Sequence, residues 1–180
     1  MSLILSVLEQ GMIYAIMALG IYITYKILDF PDLTVDGSFP MGAALTCVLI
    51  AKGVNPLLTL PVSFLAGVAV GVLTGIIHVK LKVRDLLSGI IMMTALYTIN
   101  LRIAGRANFP IYNYQTIYDN DFVNKIFPAA LKPYRTVIVV LVITLITKYL
   151  LDAYMRTKSG FLLRAVGDND TIVTSLGVDK

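Results

Sequence analysis

Residues 57–77 read LLTLPVSFLAGVAVGVLTGII, an apolar run without one charged side chain. At a rise of about 1.5 Å per residue, a helix over this run crosses a hydrocarbon core of about 30 Å. Lys80, Lys82 and Arg84 follow directly, where basic residues flank a membrane span. Four more apolar runs lie outward from it, at 3–25, 41–51, 86–101 and 136–151. The first is interrupted only by Glu9 and Gln10. It lacks the basic start and cleavage site of a secretory signal, so it is expected to remain as a span. The run at 41–51 is too short to cross alone: either Ser38 or Thr34 caps a full helix that begins in the polar stretch before it, or this is a half-helix broken inside the membrane. The last, TVIVVLVITLITKYLL, is rich in β-branched residues that would suit a buried strand, but its neighbours favour a membrane helix with Lys148 snorkelling at its end.

Composition points the same way. Hydrophobic residues make up 57% of the 180, and charged residues 14%. Soluble domains carry about 25% charged residues, which their surfaces need and a lipid-facing surface cannot tolerate. The net charge of +4 is spread in short blocks between apolar runs, which gives no nucleic-acid footprint. A single cysteine, Cys47, and a single histidine, His78, allow neither a disulfide framework nor a zinc set. The expected fold is therefore all-α and polytopic, with about five transmembrane helices.

One of those helices is expected to be broken. Residues 27–40 read ILDFPDLTVDGSFP, and two prolines, a glycine and three aspartates forbid a continuous helix there. Irregular backbone at membrane depth survives only when buried in protein or lining a watery cavity, which makes Asp32, Thr34 and Asp36 candidates for a solute path. The plainer reading is an interfacial loop whose Asp, Thr and Ser residues cap the next helix. Tyr97 and Asn100, polar within the fourth run, are weaker path candidates. Gly67, Gly71 and Gly75 recur at four-residue steps and predict a bare helix face against which another backbone can pack.

The sequence has no GxxxxGK[ST], HExxH or G-x-S-x-G, so neither catalytic nor metal-binding residues nor a cofactor site are expected. Lysine and arginine collect at 80–84 and in the tail (Arg156, Lys158, Arg164, Lys180), which puts those segments in the cytoplasm. Segment 102–135, with Arg102, Arg106, Lys125, Lys132 and Arg135, opposes that orientation. In the tail, Asp168 or Asn169 can cap a short helix with Ile172, Val173 and Leu176 as its stripe and Gly177 at its end. Such a helix can seat in another protein's groove or lie flat on lipid.

Three stretches resemble one family. YAIMALGIYITYKILDFPDLTVDGSFPMGAAL (14–45), TALYTINLRIAG (94–105) and GFLLRAVGDNDTIVTSLGVD (160–179) are similar to the ABC-importer permeases of the branched-chain amino acid/ribose type. The likeness is to the subgroup described as tryptophan/tyrosine or related amino-acid permeases. The resemblance implies a multi-pass permease subunit of the bacterial plasma membrane that imports a small solute, with amino acids as the candidate class, and is not itself an enzyme. It implies a cytoplasmic ABC ATPase, an extracellular solute-binding protein and a second permease copy as partners within the lipid bilayer. It also implies a cytoplasmic coupling loop at about 156–180, carrying Arg164, Gly167, Asn169, Asp170, Leu176 and Gly177. The family usually continues past this loop, so 1–180 is expected to be one transmembrane domain, the N-terminal portion of a permease. Thr174 departs from the small residue common at that place. The competing expectation is an ATP-independent channel or secondary carrier. That would need intramembrane ionisable relays, and among the carboxylates only Glu9 lies within a run, near its end. A membrane-embedded enzyme would need a nucleophile or metal set that the sequence lacks.

Overall fold

The computed structural model describes residues 2–112, 114–119 and 134–169. They form helices and turns with no strand among them, so the β-branched run at 136–151 is helical. Four helical stretches are long and apolar enough to cross a membrane: Leu3–Ile27, Pro56–Leu81, Asp85–Ala104 and Arg135–Met155. Val35–Ala51 is a shorter apolar helix. The chain divides into two compact units, Met1–Pro31 with Pro133–Lys180, and Asp32–Lys132.

The first unit starts with α1 (Ser2–Ile21), which runs directly into a π-helical turn, Tyr22–Ile27. There the Leu28 N–H donates to the Ile23 carbonyl, five residues back, at 3.0 Å. Such wide turns occur mostly as single insertions, often at functional sites. The helix stops at Asp29, whose φ of 52° lies in the left-handed region. α5 (Arg135–Met155) packs along α1, and the Thr144 hydroxyl donates to the Val140 carbonyl at 2.9 Å. Lys148 lies within α5 rather than at its end, because the helix continues to Met155. Its ammonium stands 4.0 Å from Asp152, one turn on.

A two-residue turn separates α5 from α6 (Lys158–Asp168). Thr157 sets this turn: its hydroxyl donates to the Tyr154 carbonyl at 2.6 Å and accepts from the Gly160 N–H at 3.3 Å, capping α6. Glycine is required at two places on α6. A Cβ at Gly160 would stand 2.5 Å from the Tyr154 carbonyl oxygen and 2.6 Å from the Met155 Cα. At Gly167 it would overlap the Ile27 carbonyl and lie 3.1 Å from the Leu28 Cα. Seven residues apart, both glycines face inward, so α6 is held against the end of α5 at one end and the π-helical turn at the other.

The second unit is built on α2 (Val35–Ala51), which packs against both α3 (Pro56–Leu81) and α4 (Asp85–Ala104). Of the two readings of this region the structure takes the helix that begins in the polar stretch directly after Thr34, since Asp36, Gly37 and Ser38 are already helical. The Asp32 carboxylate accepts the Thr34 N–H at 2.8 Å, closing a local turn, and Asp36 in the first turn favours the positive helix end. Asn55 caps α3 by accepting the Leu57 N–H, with Pro56 at the first helical position. Gly105 ends α4 in the left-handed conformation.

Met41, Val70, Met92 and Leu96 form the core of this unit. Backbones come close where side chains are absent. A Cβ at Gly89 would lie 2.8 Å from the Leu33 N, and one at Gly37 would lie 2.9 Å from the Leu96 Cβ. Hydroxyls join α2 to α3. Ser63 donates to the Gly42 carbonyl at 3.2 Å, so its 2.8 Å bond with Thr46 has Thr46 as donor. Small and hydroxylated residues at helix seams are what lipid demands, because apolar burial gives no net drive between helices there.

The Gly67, Gly71 and Gly75 face meets nothing within 4 Å among the described residues. Within this unit the buried positions of α3 are Thr59, Val70 and Thr74. Val70 is thus a sensitive position for this unit. Val70→Leu overfills the core beside Met41 and Leu96, and is expected to cost about 1–3 kcal/mol. Gly71→Leu leaves the unit's own stability unchanged and can disturb only what packs on that face from outside. Thermal unfolding of both variants in detergent reads the difference, and equal midpoints would contradict the placement of Val70.

Candidate functional site

The sequence explains a cleft between α2 and α4. On α2, residues Gly37, Pro40, Ala44 and Cys47 recur at three- and four-residue steps, a helix face of small side chains. On α4, Met93, Tyr97, Asn100 and Ala104 make the facing row. Arg106 and Phe109 follow where the chain leaves α4. Together they enclose about 540 Å³, within the range of small-molecule sites.

Polar groups in this cleft are few. Asp36 contributes an exposed carboxylate at the first turn of α2. Pro40 lacks the N–H that a continuous helix would offer to the Asp36 carbonyl. Asn100 donates from Nδ2 to the Gly37 carbonyl at 3.0 Å, linking α4 to α2. A carbonyl only accepts, which fixes the amide orientation and leaves Oδ1 buried without a hydrogen-bond partner. The Arg106 guanidinium sits over the Phe109 ring, 5.3 Å from its centre. Thr94 is occupied, donating to the Ile90 and Ile91 carbonyls at 3.0 and 2.9 Å.

The five residues proposed for a solute path are therefore divided. Asp36, Tyr97 and Asn100 come together on the cleft. Asp32 and Thr34 do not line it. The Thr34 hydroxyl is buried against that of Thr74 at 3.1 Å. Thr74 gives its own hydrogen to the Val70 carbonyl, so Thr34 is the donor and ties the start of α2 to α3. Sequence reasoning missed Arg106, Phe109 and the small-residue face of α2. The i, i+3, i+7, i+10 spacing of Gly37, Pro40, Ala44 and Cys47 was the available signal.

Of the residues assigned to coupling, Arg164 is exposed on α6, Gly167 faces Ile27, and Asn169 follows the helix with its N–H on the Ala165 carbonyl at 3.0 Å. Asp170, Leu176 and Gly177, with the helix expected around them, lie outside the described residues. Among the described residues no group of three or more His, Cys, Asp or Glu side chains could hold a metal ion.

Residues 3–180 match the family model described as branched-chain amino acid transport system / permease component. The chain belongs to that permease family. It is 41% identical over 179 residues to a tyrosine transport system permease protein of Clostridioides difficile, covering 99% of this chain and 57% of that protein. Over 190 residues it is 28% identical to a probable branched-chain amino acid transport permease protein, LivH, of Methanocaldococcus jannaschii, covering 96% of this chain and 58% of the relative. An uncharacterized protein of Rickettsia prowazekii is 31% identical over 178 residues, of which 59% of its length is covered. The chain thus spans less than two thirds of the length of these relatives. No solved structure matches. The chain is thus an all-α, multi-pass membrane member of this permease family.

Proposed function

We propose that this permease is the membrane subunit of an ATP-driven importer of a small solute, an amino acid, in the bacterial plasma membrane. The match of residues 3–180 to the permease family carries the reading. The relatives named for tyrosine and for branched-chain amino acids support the solute class. The sequence holds no phosphate-binding loop, so ATP is hydrolysed on a separate cytoplasmic ABC ATPase. An extracellular binding protein delivers the solute, and a second permease copy completes the path. Residues 1–180 act as one transmembrane permease domain whose segment at about 156–180 forms the cytoplasmic coupling loop. Within it, Arg164, Gly167, Asn169 and Asp170 shape the approach, and Leu176 and Gly177 belong to the helix that meets the ATPase. Asp36, Tyr97 and Asn100 face the solute path, while Asp32 and Thr34 support it by fixing the start of α2. The Gly67, Gly71 and Gly75 face receives another backbone.

Affinity isolation from native membranes tests this partnership. The tagged permease is expected to bring down an ABC ATPase in a fixed ratio, in a complex whose hydrolysis rises with binding protein and solute. Isolation of the permease without any ATPase, from membranes where it supports uptake, would point to an ATP-independent channel or carrier.

A further inference from the structure

We propose that the cleft between α2 and α4 recognises the solute itself, as a zwitterion with a flat apolar side chain. Asp36 and Asn100 receive its ammonium group and Arg106 its carboxylate. This rests on the reading that the cleft lies on the solute path, and adds that the permease discriminates among solutes instead of only passing them.

Charge and hydrogen-bond capacity carry the inference. An Asn Oδ1 that has lost water and gained no partner is costly, so such atoms are rare in folded proteins. Asn100 is fixed in this state by its Nδ2 bond to Gly37. Turning Oδ1 towards a solute moves the planar amide as a unit and strains the Nδ2 bond, a cost that a charge-assisted bond from an ammonium offsets. Asp36 adds a carboxylate to the same cleft, and an ionised carboxylate also only accepts. Beside the Tyr97 hydroxyl, which can donate or accept, the groups left for a ligand on this side are acceptors, which suit an N–H-rich cation. Arg106 supplies the opposite pole. Its guanidinium is a planar donor fork that matches a carboxylate, held in place by the Phe109 ring. The remaining wall includes Met93, Tyr97 and Phe109, broad and apolar, and the small side chains of α2 leave room beside them. Acceptors, a cation and an aromatic wall in about 540 Å³ suit a large amino acid better than a sugar, which carries no charge to pair with either pole.

L-tryptophan, indole-3-propionate (no ammonium) and tryptamine (no carboxylate), each radiolabelled, are titrated with the purified full-length permease in detergent by equilibrium dialysis. L-tryptophan is expected to bind, and each analogue to bind about tenfold more weakly or worse. Asp36→Asn is expected to shrink the preference for tryptophan over indole-3-propionate and leave that over tryptamine. Arg106→Gln is expected to do the reverse. The comparison of the three ligands on the unmodified protein stands even if a variant does not fold. No tryptophan binding, or equal binding of all three, overturns the proposal. An ATPase that still co-isolates and responds to solute would then show that the importer reading survives without it.

Discussion

Gly160→Val is expected to release α6 from the end of α5. A Cβ at position 160 falls 2.5–2.7 Å from the Tyr154 oxygen and from the Met155 Cα and oxygen. These are backbone atoms in the last turn of a membrane helix, so no side chain can swing away. Either the last turn of α5 unwinds or α6 leaves, and both forfeit the Thr157 cap, itself worth about 1 kcal/mol. Overpacking against backbone adds about 1–3 kcal/mol more. Limited trypsin digestion reads the outcome, because Lys158 and Arg164 both lie on α6. The variant is expected to be cut there many times faster while the cuts elsewhere keep their rate. An unchanged pattern would show that α6 is not seated through Gly160.

Leu176→Asp carries the largest functional effect. If the tail helix seats its apolar stripe in a groove of the ATPase, an aspartate there buries an unpaired charge, at a cost of about 3–5 kcal/mol unless the helix leaves. A loss of that size weakens association by roughly two to four orders of magnitude. The full-length variant is expected to insert in the membrane in normal amount but to lose ATPase copurification and uptake. If the helix instead lies on lipid, the ATPase still co-isolates in normal ratio with normal solute-stimulated hydrolysis, and the coupling role falls.

Most of the fold was legible because one physical demand dominates. A chain in lipid must satisfy its backbone within helices, so apolar length alone marks the spans. Each observed helix outruns its apolar run by a few residues. Pro56 and Asn55 start α3 one residue early, and Lys80 and Leu81 extend it into the polar flank. The break before α2 was visible in Pro31 and the aspartates, but its end stayed open between Thr34 and Ser38. That depends on the Asp32–Thr34 turn and on the Thr34–Thr74 bond, whose partners are 40 residues apart. The cleft was half legible. Asp36, Tyr97 and Asn100 stood out as polar residues in apolar surroundings, whereas Arg106 belongs to a polar segment where one more arginine signals nothing. The glycine row shows the opposite limit. Spacing reveals a bare face, whereas the close approaches among the described residues are at Gly37, Gly89, Gly160 and Gly167, where no repeat announces them, and what meets the Gly67, Gly71 and Gly75 face lies outside these residues.

Uptake into proteoliposomes tests most directly whether this permease works as the membrane half of an ATP-driven importer. The permease is reconstituted with its co-isolated ATPase, ATP is sealed on the ATPase side, and the binding protein with radiolabelled amino acid is added on the other. Accumulation above the external concentration is expected with ATP, and none with a non-hydrolysable analogue. Equilibration of the solute without ATP, at the same rate with and without the ATPase, would contradict it and establish a channel or carrier.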